Sequence, residues 1–185
     1  ADTALGVAEA MPLNRKGGVL ALVEGRQGKA LATADGIRVS SWLHLNDETG
    51  RVSFDARLVE GARNHVASIG LAEISLRQDP ADKKRMQVVF ALRKDAKDKE
   101  PITATMDAPS AGWHRFVVTW AKGKLSLSID DHAGVDLPMA SLGFALSMKL
   151  PKDGYDPSLC AALTFGSKGG AIDAIDTLIL ERSSE

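Results

Sequence analysis

Polar side chains on three short apolar segments are the first candidates for chemistry in this sequence. They are Asp55, Arg57, Gln87, Arg93 and Arg115. If segments 51–60, 86–93 and 113–120 lie in one sheet, these side chains share the face opposite the core. Guanidinium groups bind carboxylates and sulfates through paired hydrogen bonds, so this face would suit an acidic glycan. The alternative is a solvated sheet face whose cross-strand Asp–Arg pairs each contribute about 0.2–1 kcal/mol.

Aromatic side chains make up 5% of the sequence, so few are left to stack on a sugar ring. Trp42 and Tyr155 are the candidates for exposed stacking platforms, and packing against the protein is the alternative for both. Trp120 shares an alternating apolar face with Phe116, which predicts that it belongs to the core. For Trp113, packing at the end of the hairpin is one interpretation.

The segments that carry these residues have the period of two that places alternate side chains on opposite faces of a strand. In segment 51–60, every second residue from Val52 to Leu58 is apolar. The clearest β-hairpin joins segment 113–120 to segment 124–130. About a dozen such segments follow one another with almost no helical periodicity, which predicts an all-β sandwich or barrel.

The overall composition excludes several classes of protein. The chain has 185 residues without an internal repeat or a linker, which predicts one domain over residues 1–185. With 23 basic and 24 acidic residues, the net charge of −1 creates no field that favours nucleic acid or an anionic membrane. No apolar run approaches the roughly 20 residues of a membrane-spanning helix, so no membrane insertion is expected.

Two further features bear on the compartment. Cys160 is the single cysteine, which excludes an internal disulfide and predicts a small buried apolar side chain. The first residues are small and polar, as in a mature end left by cleavage of a signal peptide. A trimmed or excised domain is the alternative. The first interpretation predicts an extracytoplasmic location, which is periplasmic, secreted or at the cell surface.

Four segments, taken in order, resemble the concanavalin A-like superfamily and its laminin G-like domains in particular. They are EGRQGKAL at 24–31, GRVSFDARL at 50–58, the hairpin at 113–130 and AIDAIDTLILER at 171–182. The hairpin resembles the family's central pair of strands, which a Trp-His pair opens and an Asp closes. Asp55 departs from the pattern, which has an aromatic residue there. The resemblance implies an antiparallel two-sheet jelly-roll β-sandwich.

The resemblance also implies a hypothesis about calcium. Laminin G-like domains often bind Ca²⁺ at the rim of the sandwich, and hard oxygen ligands suit this ion. Asp130 and Asp131 are the candidates here, with Asp173 and Asp176 beside them. The alternative is that Asp occurs at turns because it hydrogen-bonds nearby backbone. No other cofactor is expected, since the four histidines lack the spacing of zinc ligands.

Enzyme patterns of the superfamily are weak in this sequence. Glycoside hydrolases of this fold need two carboxylates about 5 Å apart, and their "E-x-D-x-x-E" strand is absent. The alginate lyase pattern is echoed by Asp55-x-Arg57 and by Gln87, but the histidine that should follow the glutamine is missing. Tyr155 is the single tyrosine. A lyase without that histidine and tyrosine would lack its usual acid and base.

The sequence therefore favours a non-catalytic recognition module that binds carbohydrate, an acidic glycan in particular. One alternative is a polysaccharide lyase or glycoside hydrolase on the same scaffold. Another is a module for protein–protein interaction or assembly, through sheet edges or an apolar patch. The expected partner is a glycan or a protein, and the oligomeric state is left open.

Overall fold

The computed structural model describes residues 8–12, 21–33, 36–41, 49–61, 63–93, 99–121, 123–139 and 161–182. These residues form fourteen strands and no helix. The strands are β1 (Ala8–Pro12), β2 (Leu22–Glu24), β3 (Lys29–Ala32), β4 (Ile37–Ser41), β5 (Thr49–Leu58), β6 (Asn64–Ile69), β7 (Ala72–Gln78), β8 (Met86–Leu92), β9 (Ile102–Asp107), β10 (Gly112–Ala121), β11 (Lys124–Ile129), β12 (His132–Pro138), β13 (Ala161–Phe165) and β14 (Ile172–Arg182). Trp42, Tyr155, Cys160 and a strand predicted at 144–150 lie outside the described residues.

The strands form two antiparallel sheets of seven strands each. The first sheet has the order β1-β4-β13-β6-β7-β8-β9, and the second has the order β12-β11-β10-β5-β14-β3-β2. The prediction of a two-sheet antiparallel β-sandwich is confirmed. Within the described ranges, no helix is long and apolar enough to cross a membrane.

The core lies between the inward faces of the two sheets, where the period of two places the apolar residues. On β5, Val52, Phe54 and Ala56 are fully buried, as predicted. The Phe54 ring stacks on Phe116 of β10 with centroids 5.3 Å apart. It also meets Phe165 of the first sheet edge-on, at 4.9 Å. Aromatic pairs of this kind add about 0.5–1.5 kcal/mol to the burial of their area. The Phe54–Phe165 pair joins the two sheets, whereas Phe54 and Phe116 lie in the same sheet.

Three details differ from the sequence analysis. Segment 86–93 was expected in the same sheet as segments 51–60 and 113–120, but β8 belongs to the first sheet and β5 and β10 to the second. In segment 65–77 the sequence suggests a bulge or bend at Gly70, but the two halves of this segment form the hairpin β6–β7, with a turn at Gly70, whose φ is 58°. β12 was not predicted, because most of its residues are exposed and give no apolar alternation.

Candidate functional site: an arginine-lined cleft on the second sheet

The register of the second sheet brings three charged side chains together on its outward face. Asp55 of β5 lies directly opposite Arg115 of β10 on one side. It lies opposite Asp176 of β14 on the other side. Directly opposed residues on neighbouring antiparallel strands project to the same face. Two carboxylates therefore lie side by side on this face, and basic groups must balance them.

Two guanidinium groups converge on Asp55 and supply that balance. Arg115 forms a fork, with Nε donating to Oδ1 at 2.9 Å and Nη2 donating to Oδ2 at 2.8 Å. Arg26 Nη1 donates to Oδ1 of the same carboxylate at 3.2 Å. Asp55 is 1% exposed, whereas the arginine side chains are 44% and 36% exposed. The buried carboxylate therefore anchors two cations that face solvent.

Arg26 reaches Asp55 because the turn between β2 and β3 is fixed by Asp176. The turn closes with a hydrogen bond from Gly25 N to Gly28 O at 3.0 Å. Gln27 N donates to Asp176 Oδ2 at 3.1 Å. Burial would raise the pKa of Asp176, but backbone hydrogen bonds from the turn and from Thr177 outweigh it and hold that pKa below its ordinary value. A charged Asp176 thus places Arg26 over the sheet.

Asp130 extends the pairing of β10 with β11 beyond the last residue of β11. Its N–H donates to the Arg115 carbonyl at 2.9 Å. Its Oδ1 accepts the Arg115 N–H at 2.8 Å, where the ladder would otherwise place a carbonyl. Asp130 and Asp131 have φ of 51° and 61° in the two-residue turn before β12. This is the left-handed geometry of a tight hairpin turn, which Asp tolerates better than most residues.

His114 lies beside this turn with both ring nitrogens in contact with acceptors. Nδ1 lies 2.5 Å from Asp130 Oδ2, and Nε2 lies 2.8 Å from the Ser110 carbonyl oxygen. A carboxylate and a carbonyl only accept, so the ring satisfies both contacts when both nitrogens carry protons. Burial would raise the pKa of Asp130, but the hydrogen bonds from His114 and the Arg115 backbone hold it below its ordinary value. Both ring nitrogens of His114 are therefore engaged with groups of the protein.

Trp113 forms the aromatic part of the site. It lies directly opposite Arg57 of β5, and the Arg57 guanidinium carbon lies 5.5 Å from the centre of the indole ring. Arg57 itself is held by Asp173 of β14 through two hydrogen bonds of 2.7 and 3.1 Å. A guanidinium over an indole face is a cation–π contact. The ion pair and the ring therefore support each other at one end of the site.

These groups surround a cleft of about 480 Å³ at the outward face of the second sheet. Its lining side chains are Arg26, Gln27, Asp55, Trp113, His114, Arg115, Asp130 and Asp131. This volume falls in the range of about 300–1,000 Å³ that is typical of small-ligand sites. The mixture of guanidinium, imidazole and carboxylate groups favours a polar, charged ligand.

The structure brings together some of the predicted site residues and separates others. Asp55, Arg57 and Arg115 share one face of the second sheet, in the cross-strand Asp–Arg arrangement weighed as the alternative. The expectation that Gln87 and Arg93 join them is wrong, because β8 lies in the first sheet. Gln87 lies opposite Arg77 and Asp107, and Arg93 lies beside Glu73.

Four cleft residues were not among the predicted ligand contacts: Arg26, Gln27, Trp113 and His114. For Trp113 the sequence signal was present, since it shares the outward face of its strand with Arg115. For Arg26 no local signal exists, because a turn far away in sequence is fixed over β5 by Asp176. By alternation, His114 belongs to the core side of β10. It lines the cleft because it lies near the first residue of the strand, at the end next to the cleft.

The calcium hypothesis at Asp130 and Asp131 stays a prediction. Both carboxylate oxygens of Asp130 already accept hydrogen bonds within the protein, one from the His114 ring and one from the Arg115 N–H. The described residues contain no group of three or more His, Cys, Asp or Glu side chains arranged to hold a metal ion. A rise in melting temperature on adding Ca²⁺ would support the hypothesis, and an unchanged value would oppose it.

Comparison with solved structures identifies proteins of similar fold. An alginate lyase from Pseudomonas aeruginosa superposes with a TM-score of 0.54 and 12% identity, over 98% of this chain and 84% of that one. A family 7 alginate lyase, bound to substrate and carrying His-to-Asn and Tyr-to-Phe substitutions, gives 0.57 and 10% identity, over 89% of this chain and 82% of that one. The enzymatically active domain of a bacteriophage CBA120 tailspike superposes with a TM-score of 0.55 and 14% identity, over 90% of this chain and 28% of that one.

No protein-family model matches the sequence, and no curated protein matches it. At identities this low, the superpositions show the fold. It is the concanavalin A-like jelly-roll β-sandwich, as predicted. The narrower laminin G-like assignment stays a prediction.

The comparison corrects the functional expectation. The sequence analysis favoured a non-catalytic recognition module, and this is contradicted, because the neighbours with TM-scores of 0.54 and 0.57 are alginate lyases. These neighbours favour the alternative stated from the sequence, a polysaccharide lyase on the same scaffold, over the recognition module. The neighbours include enzymes solved with their saccharides, one with substrate and one with dimannuronate.

Proposed function

We propose that this domain is a polysaccharide lyase that acts on an acidic, uronate-containing glycan outside the cytoplasm. The observation that carries the proposal is the cleft in which Arg26 and Arg115 present exposed guanidinium groups over a buried Asp55. The fold shared with alginate lyases supports it. A polysaccharide substrate fits an extracytoplasmic location.

The reaction that fits such a cleft is β-elimination. A base removes the proton at C5 of the uronate, the C4–O4 bond breaks, and the electron pair of the C5–H bond forms the C4=C5 double bond. The departing O4 oxygen takes up a proton. The carboxylate next to C5 carries growing negative charge in the transition state, so cations placed beside it lower the barrier.

Arg26 and Arg115 fit the role of binding that carboxylate. Arg115 commits Nε and Nη2 to Asp55 and Arg26 commits Nη1, which leaves further N–H donors on each guanidinium for a ligand. The hydrogen bond to Asp55 raises the pKa of Arg115, which therefore keeps its charge. A fixed pair of cations pays little entropy when it binds a carboxylate.

His114 fits the role of proton donor. The ring lines the cleft with Nδ1 at Asp130 Oδ2 and Nε2 at the Ser110 carbonyl oxygen, so Nε2 must leave that carbonyl before it can serve the substrate. The leaving O4 oxygen needs such a donor. The Asp130 carboxylate at Nδ1 fixes the orientation of the ring, as carboxylates do for catalytic histidines in other folds.

The test is to incubate the purified chain with a panel of uronate polysaccharides and to follow the ultraviolet absorbance of the unsaturated product. We expect unsaturated product from at least one of them, and a loss of about 100-fold or more in rate for Arg115→Ala. Arg51→Ala is the matched control, because Arg51 lies on the same face of β5 but pairs with Glu181, away from the cleft. It should keep the wild-type rate.

A parallel assay for new reducing ends separates elimination from hydrolysis. Reducing ends without unsaturation would replace the lyase with a glycoside hydrolase. If neither signal appears with any uronate polysaccharide, the proposal fails.

A further inference from the structure

The indole of Trp113 meets two different environments. On one side lies the Arg57 guanidinium, 5.5 Å from the ring centre. Trp113 also lines the cleft, whereas Arg57 and Asp173 do not. The part of the indole that faces the cleft is therefore distinct from the part that Arg57 covers.

The covered side holds the ring in a fixed position. Arg57 is itself fixed by two hydrogen bonds to Asp173, and Arg57 and Trp113 are direct cross-strand partners. The preceding residue, Gly112, has a φ of 125°, which a residue with a side chain rarely adopts. A ring held by its backbone on one side and by a cation on one face loses little entropy on binding a ligand.

The position of the ring relative to Arg115 has a consequence for the ligand. Trp113 and Arg115 are two residues apart on one strand and project to the same outward face, so their Cα atoms lie roughly 6.5–7 Å apart. One hexuronate unit can span that separation, with the apolar face of its pyranose ring on the indole and its carboxylate at the guanidinium.

We propose that Trp113 is the stacking platform for one pyranose ring of the bound glycan, adjacent to the carboxylate-binding group formed by Arg26 and Arg115. This inference rests on the proposed function and deepens it by assigning the sugar ring and its carboxylate to separate residues. Trp113 selects for the ring, and the arginines select for the charge.

The experiment compares Trp113→Ala, Trp113→Phe and Arg115→Ala by calorimetric titration with two probes. One probe is a uronate oligosaccharide that the wild type binds, and the other is the same oligosaccharide with its carboxyl groups reduced to alcohols. We expect Trp113→Ala to weaken both probes by about tenfold. Trp113→Phe should keep part of the affinity, and Arg115→Ala should weaken only the acidic probe. In turnover, Trp113→Ala should raise KM and leave kcat near the wild-type value.

The outcomes separate the two proposals. If the wild type binds and cleaves the uronate glycan and Trp113→Ala matches its affinity, stacking is overturned and the lyase stands. A fall in kcat with unchanged affinity also overturns stacking. If the wild type binds no uronate glycan, the lyase proposal fails first and this inference with it. If Trp113→Ala does not fold, the NMR resonance of the Trp113 indole N–H is followed in the wild type during titration with the acidic probe. A resonance that does not shift would reject the stacking contact.

Discussion

Arg115 and Asp55 face each other directly across β10 and β5, and their side chains meet in a two-bond fork of 2.9 and 2.8 Å. The carboxylate is buried while the guanidinium remains partly exposed. This asymmetry makes Asp55 the anchor of the cleft and Arg115 the group that a ligand can meet.

We expect the fork to be strongly coupled. A double-mutant cycle with Arg115→Ala and Asp55→Ala should give a coupling free energy of about 1–3 kcal/mol. Breaking a fully buried ion pair costs roughly 3–5 kcal/mol, and we expect less here because the arginine is partly solvated. The control cycle on Arg51 and Glu181, both well exposed and 3.4 Å apart, should give about 0–1 kcal/mol. Urea denaturation measures both, and equal coupling in the two cycles would show that Asp55 is an ordinary surface partner.

Asp130 should make stability depend on acid pH. Its pKa in the folded state lies below its ordinary value of 3.8, so its contribution is present above that value and is lost as the pH falls through the lowered pKa. Asp130→Asn should therefore be less stable than the wild type at neutral pH, and the difference should shrink in acid. Denaturation midpoints at a series of pH values measure this. Asp131→Asn, at the adjacent turn position, is the control, and a difference that stays constant with pH would contradict the assignment.

His114 should tie the segment before β10 to the turn between β11 and β12. His114→Gln keeps at most one of the two contacts, so it should cost about 1–3 kcal/mol. Hydrogen exchange of the Arg115 amide, which donates to Asp130, should speed up with it. His132→Gln changes an exposed histidine at the start of β12 and should be neutral. Unchanged exchange at Arg115 in His114→Gln would mean that the ring does not support the turn.

Gly134 should tolerate no side chain. A Cβ at this position would lie 1.8 Å from the Leu127 carbonyl oxygen, which is backbone and cannot move aside without shifting the β11–β12 pairing. Gly61 is a matched comparison, since it has a φ of 66° but open space around the Cβ position, and Gly61→Ala should cost about 1–2 kcal/mol. Thermal melting should rank Gly134→Ala clearly below Gly61→Ala. The reverse order would show that the hairpin adjusts.

The fold was predictable because the period of two in β5, β10 and β11 records which side chains are buried. The pairing of strands was less so. Nothing local to segment 86–93 indicates which sheet it joins, so Gln87 and Arg93 were assigned to the wrong sheet. β12 was not predicted because it is an edge strand with few buried residues, so its sequence lacks the alternation of apolar and polar residues.

The site was half predictable for the same reason. Asp55, Arg57 and Arg115 follow from alternation along two strands that the sequence correctly suggested were near each other. Arg26 comes from a turn that only the long-range bond between Gln27 and Asp176 fixes in place. The double contact of His114 depends on the turn at Asp130, whose geometry no spacing in the sequence reveals.

The most direct test of the cleft is to titrate a uronate oligosaccharide into the isotopically labelled domain and to map the chemical-shift changes by NMR. We predict the largest changes at Arg26, Trp113 and Arg115 on the second sheet, with little change at Gln87 and Arg93 on the first. Changes confined to the first sheet would contradict the placement of the site, and so would the absence of any change with every uronate oligosaccharide.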